Sequence, residues 1–210
     1  MILYERDSRH KQVLAAACQM MTAARTAPKA KGTDIIEIAL IEGDDLKSLS
    51  DTMIAMVEEH GMKFFLRDAE NILQAECVMV IGTHSQSHGL NCGHCGFATC
   101  EQKPSQVPCA LNCTDLGIAI GSACGMAADL RLDTRVMFSA GLAAHRMHIL
   151  PNCQQIYAIA ISASSKNPFF DRKPKEPQQK SIFKCNAINN PQPRSKVFSV
   201  VGSYAQNHRT

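Results

Sequence analysis

The stretch from Asn91 to Asp115 most limits what this chain can fold into, because it holds five of the ten cysteines. These are Cys92, Cys95, Cys100, Cys109 and Cys113. The first three follow the spacing C-x2-C-x4-C, in which a two-residue spacer lets neighbouring sulfurs point to one metal centre. Gly93 and Gly96 directly follow the first two cysteines. Because glycine allows positive φ and lets backbone N–H groups approach sulfur, the motif predicts a four-cysteine iron–sulfur site.

Zinc, disulfides and free thiols are the alternatives for these cysteines. A structural zinc site usually has two short C-x2-4-C knuckles separated by a longer arm. Here the spacer lengthens from two residues to four and no second C-x2-C follows, which favours the iron–sulfur site. The fourth ligand is either Cys109 or Cys113. Cys109 is preferred because it follows Pro108 in the predicted loop, whereas Cys113 falls where a helix is predicted to begin.

Charge is distributed unevenly along the chain. From Arg172 to the end there are 8 Lys or Arg and 1 Asp or Glu, whereas the preceding residues carry 14 and 18. An acidic body with a basic, proline-containing tail argues against a core that binds nucleic acid. We predict one domain over residues 1–172, which is long enough to bury a core, and a solvated, flexible tail over residues 173–210. Binding of the tail to an acidic partner is the alternative.

The cysteine content and the apolar stretches predict a cytoplasmic protein without a membrane span. The segment MILYERDSRHKQ has no apolar signal core. Thiols stay reduced in the cytosol, where clustered cysteines are typical of metal ligands. The most apolar stretch, Leu116–Ala128, is too short to cross a bilayer and is flanked by Asp115 and Asp129.

Hydrophobic periodicity predicts the order α-β-α-β, the cysteine loop, then α-β-α-β, an α/β layout around one sheet. Helices are predicted over 8–24, 44–60, 115–130 and 139–147, helical turns over 68–74, and strands over 34–41, 77–81, 134–138 and 155–162. Phe64 and Phe65 are predicted to be extended. Gly117, Gly121 and Gly125 form one i, i+4 row, which indicates close packing against a neighbouring helix or, as the alternative, a flat ligand.

The sequence resembles a prokaryotic family of uncharacterised proteins that contain a ferredoxin domain. The resemblance covers, in order, most of residues 1–172. The matching stretches are AARTAPKAKGTD at Ala23–Asp34, FFLRDAENI at Phe64–Ile72, GLNCGHCGFATC at Gly89–Cys100, DLGIAIGSA at Asp115–Ala123 and SASSKNPFFDR at Ser162–Arg172. In that family five residues separate one cysteine from the Asp of the DLGIA segment. Cys109 holds that place here, so the resemblance supports Cys92, Cys95, Cys100 and Cys109 as the ligands.

A more distant resemblance is to the flavin-dependent nitroreductases. It rests on RTAPKAKG at Arg25–Gly32 and on Asp115–Thr134, a segment in which a small-residue helix is followed by LRLDT. The resemblance implies an α/β (α+β) fold with a mixed central sheet flanked by helices, into which the cysteine-rich loop at 89–113 is inserted. It also implies a homodimer with FMN at the subunit interface. The R-R-S-x-R segment of those enzymes has no counterpart near the N-terminus, where only Arg6 and Arg9 lie.

Three functions follow from these patterns. The first is an iron–sulfur redox protein with a [4Fe–4S] cluster, which exchanges electrons with a redox partner protein or a small molecule. The second is a reductase whose cluster feeds FMN. Side chains that would supply positive charge and hydrogen-bond donors to a flavin phosphate are Arg25, Lys29, Lys31, Ser162, Ser164 and Lys166. The third is a zinc- or cluster-stabilised interaction domain without enzymatic activity.

Overall fold

The computed structural model describes residues 1–170, which form five α-helices and four strands. The elements are α1 (Glu5–Thr26), β1 (Ile36–Ile41), α2 (Asp44–His60), α3 (Phe64–Ile72), β2 (Cys77–His84), α4 (Ala110–Asp129), β3 (Asp133–Met137), α5 (Phe138–Arg146) and β4 (Cys153–Ser162). A short 3-10 helix, Ala30–Gly32, follows α1. The predicted tail at 173–210 lies outside the described residues, and the division into domain and tail stays a prediction.

The four strands form one sheet in the order β1-β2-β4-β3. Strands β2 and β3 run in the same direction, but β4 lies between them and pairs antiparallel with both. Strand β1 pairs antiparallel with β2. The α+β class with helices flanking one sheet is confirmed. The expected mixed pairing is not found among these strands, because no two neighbours are parallel.

Each face of the sheet is covered by helices, because successive strand residues point to opposite sides. Val78 and Val80 of β2 pack with α2, α3 and α5, in a core that includes Leu49, Met53 and Phe65. Cys77, Met79 and Ile81 pack on the other side with α1 and α4, in a core that includes Ala17, Met20, Ala119 and Ala123. The result is a three-layer arrangement with an aliphatic core on each side of the sheet.

Two element predictions are corrected. Phe64 and Phe65 are not extended but begin α3, where Phe65 is fully buried beneath Phe138 of α5. Burial of an aromatic ring on a helix outweighs the β-propensity that favoured a strand. Helix α4 begins at Ala110, earlier than residue 115, so Cys113 lies inside its first turn.

The three glycines that form one row on α4 are exposed to solvent. A Cβ placed on Gly117, Gly121 or Gly125 would meet nothing within 4 Å outside the helix. The predicted close packing at this row is therefore wrong within residues 1–170. The closest approach is made by Gly141 of α5, where a Cβ would lie 2.1 Å from the carbonyl oxygen of Ile156.

No helix in the described part of the chain is both long enough and apolar enough to span a membrane.

Candidate functional site

The cysteine loop runs from the end of β2 to the start of α4, at one end of the sheet. Its thiols differ in exposure. Cys92 is exposed, Cys95 and Cys100 are half-buried, and Cys109 is 5% exposed. The four cysteines predicted as ligands thus lie in one loop between two core elements, and the last is fixed by the core.

Left-handed backbone conformations shape the first half of the loop. Gly93 has φ 71° and Gly96 has φ 88°, and the N–H of Gly96 donates to the carbonyl of Gly93 at 2.9 Å. Side chains other than glycine rarely adopt such φ values. The glycine after each of the first two cysteines therefore lets the chain turn tightly there, as the sequence predicted.

Asn91 joins the start of the motif to its third cysteine. The backbone N–H of Asn91 donates to Sγ of Cys100 at 3.4 Å, and its Oδ1 accepts a hydrogen bond from the Cys100 N–H at 2.8 Å. The N–H of Asn91 and the side chain of Ser87 lower the pKa of the Cys100 thiol, because they stabilise the thiolate. The loop therefore favours the charge state that binds a metal.

Cys109 is the N-cap residue of α4, and Cys113 follows one turn later. The Cys113 N–H donates to the Cys109 carbonyl at 3.1 Å. The pKa of Cys113 is raised by burial and by the neighbouring Cys109. Cys109 thus lies where the loop ends and Cys113 lies inside the helix, and the choice of Cys109 as the fourth ligand stays a prediction.

The donors of the loop bear on which group fits it. Each of the four thiolate ligands of a [4Fe–4S] cluster binds a different iron, and the cluster accepts hydrogen bonds from backbone N–H groups at its sulfurs. The four thiols, the N–H donor on Cys100 and the glycine turns fit an iron–sulfur cluster.

Buried polar side chains of α4 contact the segment that joins β2 to the first cysteine. Asn112 is 1% exposed, and its Nδ2 donates to the carbonyls of His84 and Gln86 at 3.0 and 2.7 Å. Asp115 lies 3.3 Å from Nε2 of buried His88, although the two groups are not aligned as a hydrogen bond. Burying a polar group without a partner is unfavourable, so the two hydrogen bonds of Asn112 hold this segment in place.

The part of the loop that precedes Cys109 contacts β4. Nε2 of Gln154 donates to the carbonyl of Gln106 at 2.8 Å, and Lys103 donates to the carbonyl of Val107 at 2.6 Å. Sequence reasoning did not identify Asn112, His88 or Gln154 as residues that hold the site. Their partners are backbone carbonyls or side chains far along the chain, for which the sequence carries no local signal.

The basic residues at the end of α1 and directly after it are occupied by protein contacts. Arg25 pairs with Asp34 at 2.7 Å and donates to the carbonyl of Ile36 at 2.6 Å. Lys29 donates to three carbonyls at the end of α1. Lys31 is exposed and donates to the carbonyl of His88 at 3.1 Å. Arg25 thus joins α1 to the start of β1, Lys29 caps the end of α1, and Lys31 joins the 3-10 turn to the cysteine loop.

The serines and the lysine predicted for a flavin phosphate lie at the other end of the sheet. Ser162 is buried at the end of β4, and Ser164 donates to the carbonyl of Lys166 in the exposed segment that follows. Arg25 donates to the carbonyl of Ile36 in β1. Ile36 pairs with Thr83 of β2, and Thr83 pairs with Gln155 near the start of β4. About seven strand residues, roughly 23 Å, separate these positions. One chain does not bring the two groups into a single site.

Comparisons with known proteins bear on both the loop and the fold. The model of a family described as uncharacterised proteins containing a ferredoxin domain matches residues 105–172. An uncharacterised protein of Archaeoglobus fulgidus is 37% identical over 186 residues, which cover 84% of this chain and all of that protein.

Solved structures resemble the fold at low sequence identity. A nitroreductase family protein from Clostridium novyi NT is 15% identical, with a TM-score of 0.54 over 75% of this chain and 76% of its own. A nitroreductase with bound FMN from Desulfitobacterium hafniense DCB-2 is 12% identical, with a TM-score of 0.53 over 81% of this chain and 85% of its own. These similarities confirm the nitroreductase-like fold.

Proposed function

The chain belongs to the family of uncharacterised proteins that contain a ferredoxin domain, and we propose that it is a redox protein whose cysteine loop holds a [4Fe–4S] cluster. The proposed ligands are Cys92, Cys95, Cys100 and Cys109. When bound, such a cluster accepts and releases single electrons. The observation that carries the proposal is the Asn91–Cys100 contact, in which a backbone N–H is directed at the sulfur of a proposed ligand.

The residues around the ligands have distinct tasks in this proposal. Backbone N–H groups near Cys100 stabilise its negative charge, and hydrogen bonds to ligand sulfurs tune the potential of a cluster. Cys109 ends the loop at the N-cap position of α4, where the core buries it. The buried Asn112 fixes the chain before the first ligand. Cys92 is exposed, which gives a redox partner protein or a small molecule access to this side of the site.

Analysis of anaerobically purified full-length protein tests the proposal. We expect about four irons and about four acid-labile sulfides per chain, and a broad visible absorption that bleaches when dithionite reduces the cluster. A colourless protein with stoichiometric zinc in the loop would instead support the zinc-stabilised interaction domain. A protein with neither metal would contradict both interpretations.

A reductase in which the cluster exchanges electrons with FMN is the second candidate. Its support is the fold, which is similar to that of a nitroreductase with bound FMN. We propose Lys31 as the contact to the flavin phosphate on the loop side, because it is exposed and has one hydrogen-bond partner among the described contacts. Arg25 and Lys29 are engaged by protein oxygens, so they would serve the site by positioning the 3-10 turn.

A second subunit is required if the other predicted residues are to contact the same flavin. Ser162, Ser164 and Lys166 lie at the far end of the sheet, so they would reach it only from another chain in a homodimer. Gel filtration after incubation with FMN tests this candidate. We expect FMN to co-elute with a dimer and to be lost from Lys31→Ala. Elution of FMN apart from the unaltered protein would contradict it.

A further inference from the structure

We propose that Glu37, His84 and Cys153 form a second metal site, which binds a divalent transition-metal cation such as Zn²⁺. One ligand atom from each residue lies within 4.8 Å of the other two. Nε2 of His84 is 2.6 Å from Oε1 of Glu37. None of these residues belongs to the cysteine motif, so the proposal does not depend on the iron–sulfur cluster.

A β-bulge brings the three side chains to the same face of the sheet. Thr83 pairs with Gln155, but His84 pairs with Cys153, so Gln154 is skipped. Without the extra residue, Cys153 would point to the opposite face, because strand side chains alternate. Bulges commonly redirect a side chain next to a functional site.

Gly82 supplies the space that Cys153 occupies. It lies two residues before His84 and pairs with Glu37 across the neighbouring strand, so all three ligands surround it. A Cβ at Gly82 would lie 2.8 Å from Cβ and 2.9 Å from Sγ of Cys153. The thiol can therefore sit over the strand and next to the imidazole only because this position has no side chain.

The three ligand types suit a cation that is intermediate between hard and soft, such as Zn²⁺. Zn²⁺ accepts thiolate, imidazole and carboxylate ligands at about 2.0–2.3 Å, and sites with three protein ligands leave a fourth position open. The side chains of Glu37 and His84 are 32% and 30% exposed, so a water molecule or another ligand can reach that position. Nδ2 of Asn152 lies 3.3 Å from Oε1 of Glu37, and such outer contacts orient metal ligands.

The three ligand atoms, which lie within 4.8 Å of one another, can reach one cation after small side-chain rotations. Ligand atoms about 2.0–2.3 Å from a tetrahedral zinc ion lie about 3.3–3.8 Å from one another. The present 2.6 Å contact between Glu37 and His84 is that of a hydrogen bond, and a cation would replace the shared proton. Small rotations of two partly exposed side chains towards the buried thiol would complete the site.

Metal analysis of the full-length, cluster-loaded protein tests the proposal. The protein is equilibrated with Zn²⁺, freed of excess metal, and assayed for zinc and iron together. We expect about one zinc per chain, with binding weakened more than about tenfold in Cys153→Ala and in His84→Gln, and with unchanged iron. His84→Gln keeps a donor for Glu37 on a partly exposed side chain, so it preserves the hydrogen bond while it removes the metal ligand.

Cys77→Ala is the matched control, because it removes another fully buried strand cysteine that lies on the other face of the sheet. It should keep the zinc. Substitution of Co²⁺ adds an optical readout, since a thiolate–Co²⁺ charge-transfer band should be present in the unaltered protein and absent in Cys153→Ala. Equal zinc content in the unaltered protein and both variants would overturn the proposal. So would zinc that is lost in Cys92→Ser but kept in Cys153→Ala.

Discussion

Both carboxylate oxygens of Asp115 lie within hydrogen-bond distance of the backbone N–H of Ala30, at 3.1 and 3.0 Å. Asp115 is 4% exposed and lies in α4, just after the cysteine loop, whereas Ala30 begins the 3-10 turn after α1. This contact joins two segments that are 85 residues apart. It holds a buried carboxylate at the place where the loop returns to the core.

The first prediction concerns this contact. Asp115→Ala should lower the free energy of unfolding by about 2–3 kcal/mol, because it leaves the Ala30 N–H without its charged acceptor. Asp129→Ala, at the exposed end of the same helix, should change it by less than about 0.5 kcal/mol. Urea denaturation followed by circular dichroism measures both. Equal midpoints for the two variants would show that the contact does not stabilise the fold.

The second prediction concerns the identity of the ligands. Cys92→Ser, Cys95→Ser, Cys100→Ser and Cys109→Ser should each lose most of the bound iron, because a cluster of this type needs four thiolates. Cys113→Ser should keep it, since the serine remains in the first turn of α4 one turn beyond the N-cap. Iron and sulfide analysis after anaerobic purification provides the measurement. Loss at Cys113 with retention at Cys109 would reverse the assignment of the fourth ligand.

The sequence predicted those parts of the molecule that depend on neighbouring residues. The glycine turns after Cys92 and Cys95 follow from local backbone preferences, and their positive φ values agree. The supports of the loop depend instead on contacts between distant residues, such as that between Asn112 and the carbonyl of His84. The bulge that places Cys153 opposite His84 is likewise a matter of strand register, which no local pattern specifies.

The third prediction concerns thiol reactivity in the metal-free protein. The N–H of Asn91 lowers the pKa of Cys100, whereas burial raises the pKa of Cys113, and burial raises that of Cys77 to about 12. Only the thiolate reacts, so a lower pKa gives faster reaction at a given pH. As pH rises, iodoacetamide should therefore modify Cys100 first, then Cys113, and leave Cys77 unmodified below about pH 9.

Mass spectrometry of the modified peptides gives the rate at each cysteine. Asn91 is no place for a test variant, because its φ of 48° excludes proline and its donor to Cys100 is a backbone group. The side chain of Ser87 also lowers the pKa of Cys100, so in Ser87→Ala the pH at which Cys100 becomes reactive should rise. Identical pH profiles for Cys100 and Cys113 would contradict the proposed role of the backbone donors.

The fourth prediction compares two helical glycines. Gly141→Ala should lower the free energy of unfolding by about 1–3 kcal/mol, because its Cβ would lie 2.1 Å from the Ile156 carbonyl oxygen and α5 would have to move off β4. Gly121→Ala, whose Cβ would meet nothing within 4 Å, should raise it by up to about 1 kcal/mol through better helix propensity. Thermal or urea unfolding of both variants measures the difference. Destabilisation by Gly121→Ala would instead indicate that another chain packs closely on the exposed glycine row of α4.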